Sequence, residues 1–203
     1  MDIRKLQKLA VTALEDWQGR GRQSVWYMSR FHRINLFVED GELRIRDWRY
    51  FSERYRERYL DEVCRSHGCV YDNPPLMDGY VWSTAALAAG IRVMTGGKGR
   101  LVSVEETSRT TLRLQWLAGD DRLVIDVGEN ALRLVFPVAG RLEFVYGRDA
   151  LGETSFSLAP NGQLAYRHAG FDYALHCVAG RFEQSGDAIA VSSDRGIIEL
   201  RCG

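Results

Sequence analysis

A chain of 203 residues that is 45% hydrophobic and 27% charged has enough apolar surface for a sizeable core, which excludes a low-complexity disordered chain. Its 27 basic and 27 acidic residues cancel, 15 against 13 within residues 1–95 and 12 against 14 beyond. That excludes the basic excess with which a nucleic-acid binder displaces counterions from phosphates.

Residues 2–18 space Ile3, Leu6, Leu9 (or Ala10), Ala13, Leu14 and Trp17 at three- and four-residue intervals, which predicts an amphipathic helix stopped by Gly19-Arg20-Gly21. Charges interrupt these apolar residues, so the start does not read as a signal peptide. The longest apolar run, residues 85–91, is too short to span a bilayer. A cytoplasmic location is therefore expected, with Cys64, Cys69, Cys177 and Cys202 as free thiols. Twenty-four of the basic residues are arginine, a bias that reads as the codon usage of a GC-rich bacterial source.

Residues 34–38 and 43–46 flank Asp40-Gly41 and read as a β-hairpin with a type I′ turn. Residues 48–66 read as a second helix, with Phe51, Tyr55, Tyr59 and Val63 on one face. Overlapping its start, Arg44 to Tyr59 interleaves arginine with aromatics, but Asp47, Glu53, Glu57, Asp61 and Glu62 interrupt the basic run. That pattern reads as a solvated, salt-bridged face. Residues 79–94 read as a third helix, and Gly96-Gly97-Lys98-Gly99 as a flexible joint.

After the joint, nine or ten short strands are expected, from ten candidate stretches: 100–106, 110–117, 122–127, 131–138, 141–146, 153–158, 163–168, 171–178, 188–192 and 196–201. Turn-rich joints such as Pro160-Asn161-Gly162 separate them, which predicts an antiparallel meander closing into a barrel or sandwich. The expected fold class is α+β: a helical region over residues 1–95 with about three helices and one hairpin, a joint at 96–99, and a β region over 100–203. This order, helices before an antiparallel β region, is similar to that of polysaccharide lyases with a helical toroid and a C-terminal β-sandwich. The likeness is one of order alone, and it assigns no residue.

The densest chemistry is Cys64-Arg65-Ser66-His67-Gly68-Cys69-Val70-Tyr71-Asp72-Asn73-Pro74-Pro75. Cys64, His67 and Cys69 supply half of a structural zinc signature, and no second half accompanies them. No metal and no cofactor are therefore expected. Pro74-Pro75 stiffens the loop, so its polar groups are held in fixed directions. His67, Tyr71, Asp72 and Asp78 are the acid–base candidates should the chain act on a glycosidic bond. Tyr71, Asn73, Tyr80 and Trp82 are the ligand-binding candidates. The preferred reading is a non-catalytic binding or assembly protein, with a protein or small-molecule or glycan partner held by the β region or its seam with the helices. A homo-oligomer is compatible with this reading, and a membrane is not expected. The rival reading is a carbohydrate-active enzyme of the lyase or glycoside-hydrolase type working through residues 67–80.

Overall fold

The computed structural model describes residues 8–16, 18–65 and 72–203. Among these, seventeen strands occur in chain order. They are β1 (Leu9–Ala13), β2 (Gln23–Met28), β3 (His32–Glu39), β4 (Glu42–Tyr50), β5 (Pro75–Asp78), β6 (Gly90–Met94), β7 (Arg100–Glu106), β8 (Leu112–Ala118) and β9 (Asp121–Val127). There follow β10 (Ala131–Val135), β11 (Arg141–Val145), β12 (Thr154–Leu158), β13 (Leu164–His168), β14 (Phe171–Ala179), β15 (Arg181–Ser185), β16 (Ala188–Ser192) and β17 (Ile197–Cys202).

They form two antiparallel sheets, neither closed into a barrel. The first runs β1-β2-β3-β4-β6-β11-β16-β15, with β5 also paired to β4. The second runs β12-β13-β14-β17-β10-β9-β8-β7. Strands from both sides of residues 96–99 share the first sheet, because β11 pairs with β6. Alternate residues of both sheets enter one apolar cluster that includes Ile34, Leu36, Ile45 and Trp48 from one side and Leu114, Trp116, Ile125 and Leu134 from the other. Polar side chains tie the layers together. Gln23 donates to the Leu101 carbonyl at 3.0 Å and accepts from the Leu101 amide at 2.7 Å. Tyr173 and Tyr166 donate to the carbonyls of Pro75 and Leu76, at 2.6 and 3.0 Å, and so hold β5 against the second sheet.

The expected α+β class is corrected by this architecture, since the described residues contain no α-helix. Residues 1–7 and 17 of the first expected helix lie outside the described residues; residues 9–13 of it are strand β1. The second expected helix begins inside β4 and continues as an irregular excursion with one short 3-10 turn at Arg58–Leu60. A helix there would stack Glu53, Glu57 and Asp61 on one row and Arg54 and Arg58 on another, and like charges four residues apart repel. In the excursion two of these residues find opposite charges instead: Asp61 with Arg56, and Arg58 with both Asp72 and Glu153. Over 79–94, Ser83 and Thr84 divert backbone hydrogen bonds. The Ser83 hydroxyl donates to the Gly79 carbonyl and accepts from the Ala89 amide, and Thr84 bridges to Leu87, so a turn forms and β-branched Ile91 and Val93 complete β6.

The hairpin is present as read, with Asp40 at φ 53° and Gly41 at φ 76° between β3 and β4. All ten candidate stretches hold a strand, but not as one meander: β11 and β16 cross to the first sheet, joined there by β15.

Candidate functional site: the outward face of the first sheet

The outward face of an antiparallel sheet ordinarily meets water. On β3 it does not. Burial runs through seven consecutive residues from His32 to Val38, so Arg33, Asn35 and Phe37, which alternate outward, are covered as well. The cover comes from β4 and the turn after β5.

The register explains how. Asn35 pairs with Asp47 while Leu36 pairs with Ile45, so Arg46 is the extra residue of a bulge. A bulge re-aims side chains. Ile45 and Trp48 both point to the core, and Arg46 and Asp47 both stand on the outer face. Asp47 is fully buried and takes the Arg33 guanidinium in a two-pronged pair, Nε at 3.0 Å and Nη2 at 3.1 Å, with Arg49 Nε at 3.7 Å. Arg49 reaches on to Asp78 of β5.

Gly79 sets the last layer. Its amide donates to the Arg46 carbonyl at 2.6 Å, and a Cβ there would lie 2.4 Å from that oxygen, so any side chain at this position would force the turn to shift. Asp78 caps the turn by accepting from the amides of Tyr80 and Val81. The result lays Tyr80 over Arg46. The guanidinium carbon of Arg46 is 4.8 Å from the Tyr80 ring centroid and 3.9 Å from that of Phe37, and Nε donates to Asn35 Oδ1 at 3.0 Å. Among the described residues no carboxylate lies within ion-pair distance of Arg46. Burial draws its guanidinium below the usual arginine range, with Tyr80, Asp47 and Glu39 opposing. The side chain remains a cation at neutral pH.

Beside it, Arg44 and Arg92 face each other across β4 and β6. Like charges directly opposite repel. Arg44 is answered by Glu39 at 3.1 Å, which also holds Arg22 at 2.6 Å. Arg92 has no described carboxylate within ion-pair distance; its other cross-strand neighbour, Glu143, is engaged by Arg141 at 3.2 Å. The face thus keeps two cations, Arg46 and Arg92, that no carboxylate among the described residues answers, one of them clamped between rings. A 510 Å³ cleft opens where β4 and β6 part, bordered by Arg44, Arg92 and Lys98 but also by Glu39 and Glu42. A 790 Å³ groove lies at the other end, where Arg33, Tyr50, Tyr55 and Asn73 meet.

The residues singled out from the sequence fall in several places. His67 and Tyr71 lie outside the described residues, as does Cys69. Tyr80 is part of the clamp and is half-exposed. Asp78 caps the turn and holds Arg49. Asn73 binds Glu57 through its side chain and Arg49 through its carbonyl, and borders the groove. Trp82 is in the core, stacked on Phe156 at 5.7 Å. Asp72 is buried and anchors the excursion: burial pushes its carboxyl up, but hydrogen bonds from the Arg58 amide and side chain and from Tyr55 overcome this and leave it below the usual range. Cys177 is a half-buried thiol pushed up to about 11 by desolvation, so it is no nucleophile at neutral pH. Asp72 and Asp78 belong to separate networks. Arg46, Arg92 and Phe37 were not singled out. Their signal was the Arg44-Ile45-Arg46 alternation, which marks a strand with arginine on one face.

The molecule is thus an all-β, sandwich-like protein with an arginine–aromatic layer on the outside of one sheet. Compared with protein-family models, curated proteins and solved structures, the chain matches none. No helix among the described residues is long and apolar enough to cross a membrane.

Proposed function

We propose a non-catalytic binding protein that takes an acidic glycan on the outward face of its first sheet. The observation that carries this reading is Arg46, a half-buried cation held between Phe37 and Tyr80 with, among the described residues, only the neutral Asn35 as a hydrogen-bond partner of its side chain. Preparing a cation without its counter-ion is costly, and a bound carboxylate would repay that cost through the terminal nitrogens of the fork. Arg92 supplies a second positive group on the same face. The half-exposed Tyr80 offers a platform for a pyranose ring. The catalytic alternative finds less support, because a general acid needs a raised pKa and Asp72 is held the other way by Arg58 and Tyr55.

Calorimetric titration with an oligogalacturonate, against a neutral cello-oligosaccharide of equal length, tests the reading. The acidic glycan should bind at least tenfold tighter. Arg46→Gln should remove that preference, about 1.4 kcal/mol or more. Equal affinity for both glycans, binding of neither, or an Arg46→Gln variant that binds as well as the parent would end it.

A further inference from the structure

We propose a second, separate site, at the open end of the sandwich, for a small alkylammonium ligand. The starting point is the phase of β9. Leu123, Ile125 and Val127 alternate into the core, and Asp121 stands two residues before Leu123, at the next inward position. A carboxylate in core phase at the end of a hairpin requires a partner or water. Among the described residues no cation lies within ion-pair distance of it.

What lies there instead is an apolar pocket of 250 Å³. Trp116 and Leu123 form its wall from the second sheet, Phe136 and Val138 close it from the connection between β10 and β11, and Met94 comes from the first sheet. Asp121 sits on its lining, and the backbone of Gly96 passes beside the carboxylate: a Cβ on residue 96 would be 3.2 Å from Asp121 Oδ2. The site therefore offers an apolar interior with two aromatic rings and one carboxylate that no cation among the described residues answers. A carboxylate ligand would be repelled. A neutral apolar ligand would leave the carboxylate unpaired beside it. An ammonium group pairs with Asp121 and is attracted to the ring faces, while its carbon chain displaces water from the pocket. This occupant is a cation, the opposite of the anion proposed for the outer face of the first sheet, so the two readings stand or fall apart.

The probes are n-hexylammonium, n-hexanol and hexanoate, titrated into the full chain by calorimetry. Hexylammonium should bind at least tenfold tighter than hexanoate. Asp121→Asn, at an exposed position, should bring the amine to the affinity of hexanol and leave hexanol unchanged. Val138→Trp, at a residue 68% exposed on the rim, should weaken amine and alcohol alike by covering the mouth. The proposal is overturned if amine and carboxylate bind equally, if none of the three binds to the parent protein, or if Asp121→Asn keeps the full preference for the amine. Circular dichroism of both variants separates a lost site from a lost fold: a variant that has unfolded is replaced by Asp121→Ser, read by the same criteria.

Discussion

On the outward face of the second sheet, Arg113 meets Asp126 across β8 and β9, and Arg133 and Arg201 both reach Glu199 from β10 and β17. These arginines are 41–50% exposed. On the outward face of the first sheet, Arg33 and Arg49 meet an Asp47 that is 0% exposed, and they themselves are nearly as covered, at 10% and 3%. The residue types are the same and the pairing geometry is similar. The surroundings differ because the first sheet has an extra residue in β4, an extra strand in β5 and a turn that lays Tyr80 across the face. Charge pairs in water contribute little. Pairs taken out of water incur a desolvation cost that their attraction scarcely recovers, so their presence is better explained by the positions they fix than by the stability they add. On the first sheet what they fix is the platform beneath Arg46.

The contrast breaks most sharply at Asp47. Truncation to alanine leaves two buried guanidinium groups facing an apolar methyl, and the loss expected is about 3–5 kcal/mol. Urea unfolding of Asp47→Ala measures it. A loss below about 1 kcal/mol would mean that water reaches Arg33 and Arg49, and that the first face is a solvated one after all.

Much of this architecture was legible. Asp40-Gly41 between two alternating segments gave the hairpin, because a type I′ turn requires positive φ at both central positions. The strands after residue 100 were legible for the same reason: alternation such as Leu112, Leu114, Trp116 has only one structural meaning. The helices were misread because a four-residue recurrence of Phe51, Tyr55, Tyr59 and Val63 says nothing about where each residue goes. Val63 is 81% exposed, and Tyr55 packs on Phe171 and His168 instead of on a helical neighbour. Strand β15 escaped because Phe182 is its one core residue. The platform escaped through the bulge: Ile45 and Trp48 are both core residues three apart, a spacing that in sequence suggests helix and in the fold marks one inserted residue.

Both sheets carry a buried histidine that makes the fold sensitive to acid, and the shift is large in the first. His32 of β3 is fully buried. It accepts from the Trp48 indole N–H at Nδ1, at 2.8 Å, which leaves the proton on Nε2 to be donated to the Gly128 carbonyl, also at 2.8 Å. Burial draws its pKa down to about 4, against a smaller opposing contribution from Gly128. The unfolded chain protonates this histidine near 6.5, and the folded one only near 4. Between those values the unfolded state binds the proton, so stability falls as pH falls from 6.5 to 4, by roughly 3 kcal/mol in all. His168 on β13 is drawn down too, chiefly by burial, and adds a loss of the same sign. Urea midpoints from pH 7 to 4.5 should show a fall that His32→Gln makes shallower. An identical slope in the variant would assign the acid sensitivity elsewhere.

Gly79 sharpens the comparison at the next smaller scale. Gly79→Ala puts a methyl 2.4 Å from the Arg46 carbonyl, with the Ala89 carbonyl at 2.9 Å. Relief requires the turn to lift, so a cost of roughly 1–3 kcal/mol is expected, together with exposure of the Arg46 guanidinium as Tyr80 moves away. Glycan affinity should then fall with stability. A variant that loses stability but binds the acidic glycan as before would separate the clamp from the site.

The smallest effect belongs to the second sheet. Arg113 reaches Asp126 through two hydrogen bonds, Nε at 2.7 Å and Nη2 at 2.9 Å, a geometry as good as that of Arg33 with Asp47. Geometry is therefore held nearly constant between the two pairs, and solvent is what differs. Water around Arg113 screens the attraction, and holding two long side chains in place costs entropy. Arg113→Ala should leave the urea midpoint within the scatter of replicate titrations, at low and at high salt alike. A clear shift at low salt that vanishes at high salt would show an exposed pair that stabilises the fold, and the distinction between the two faces would then be one of degree.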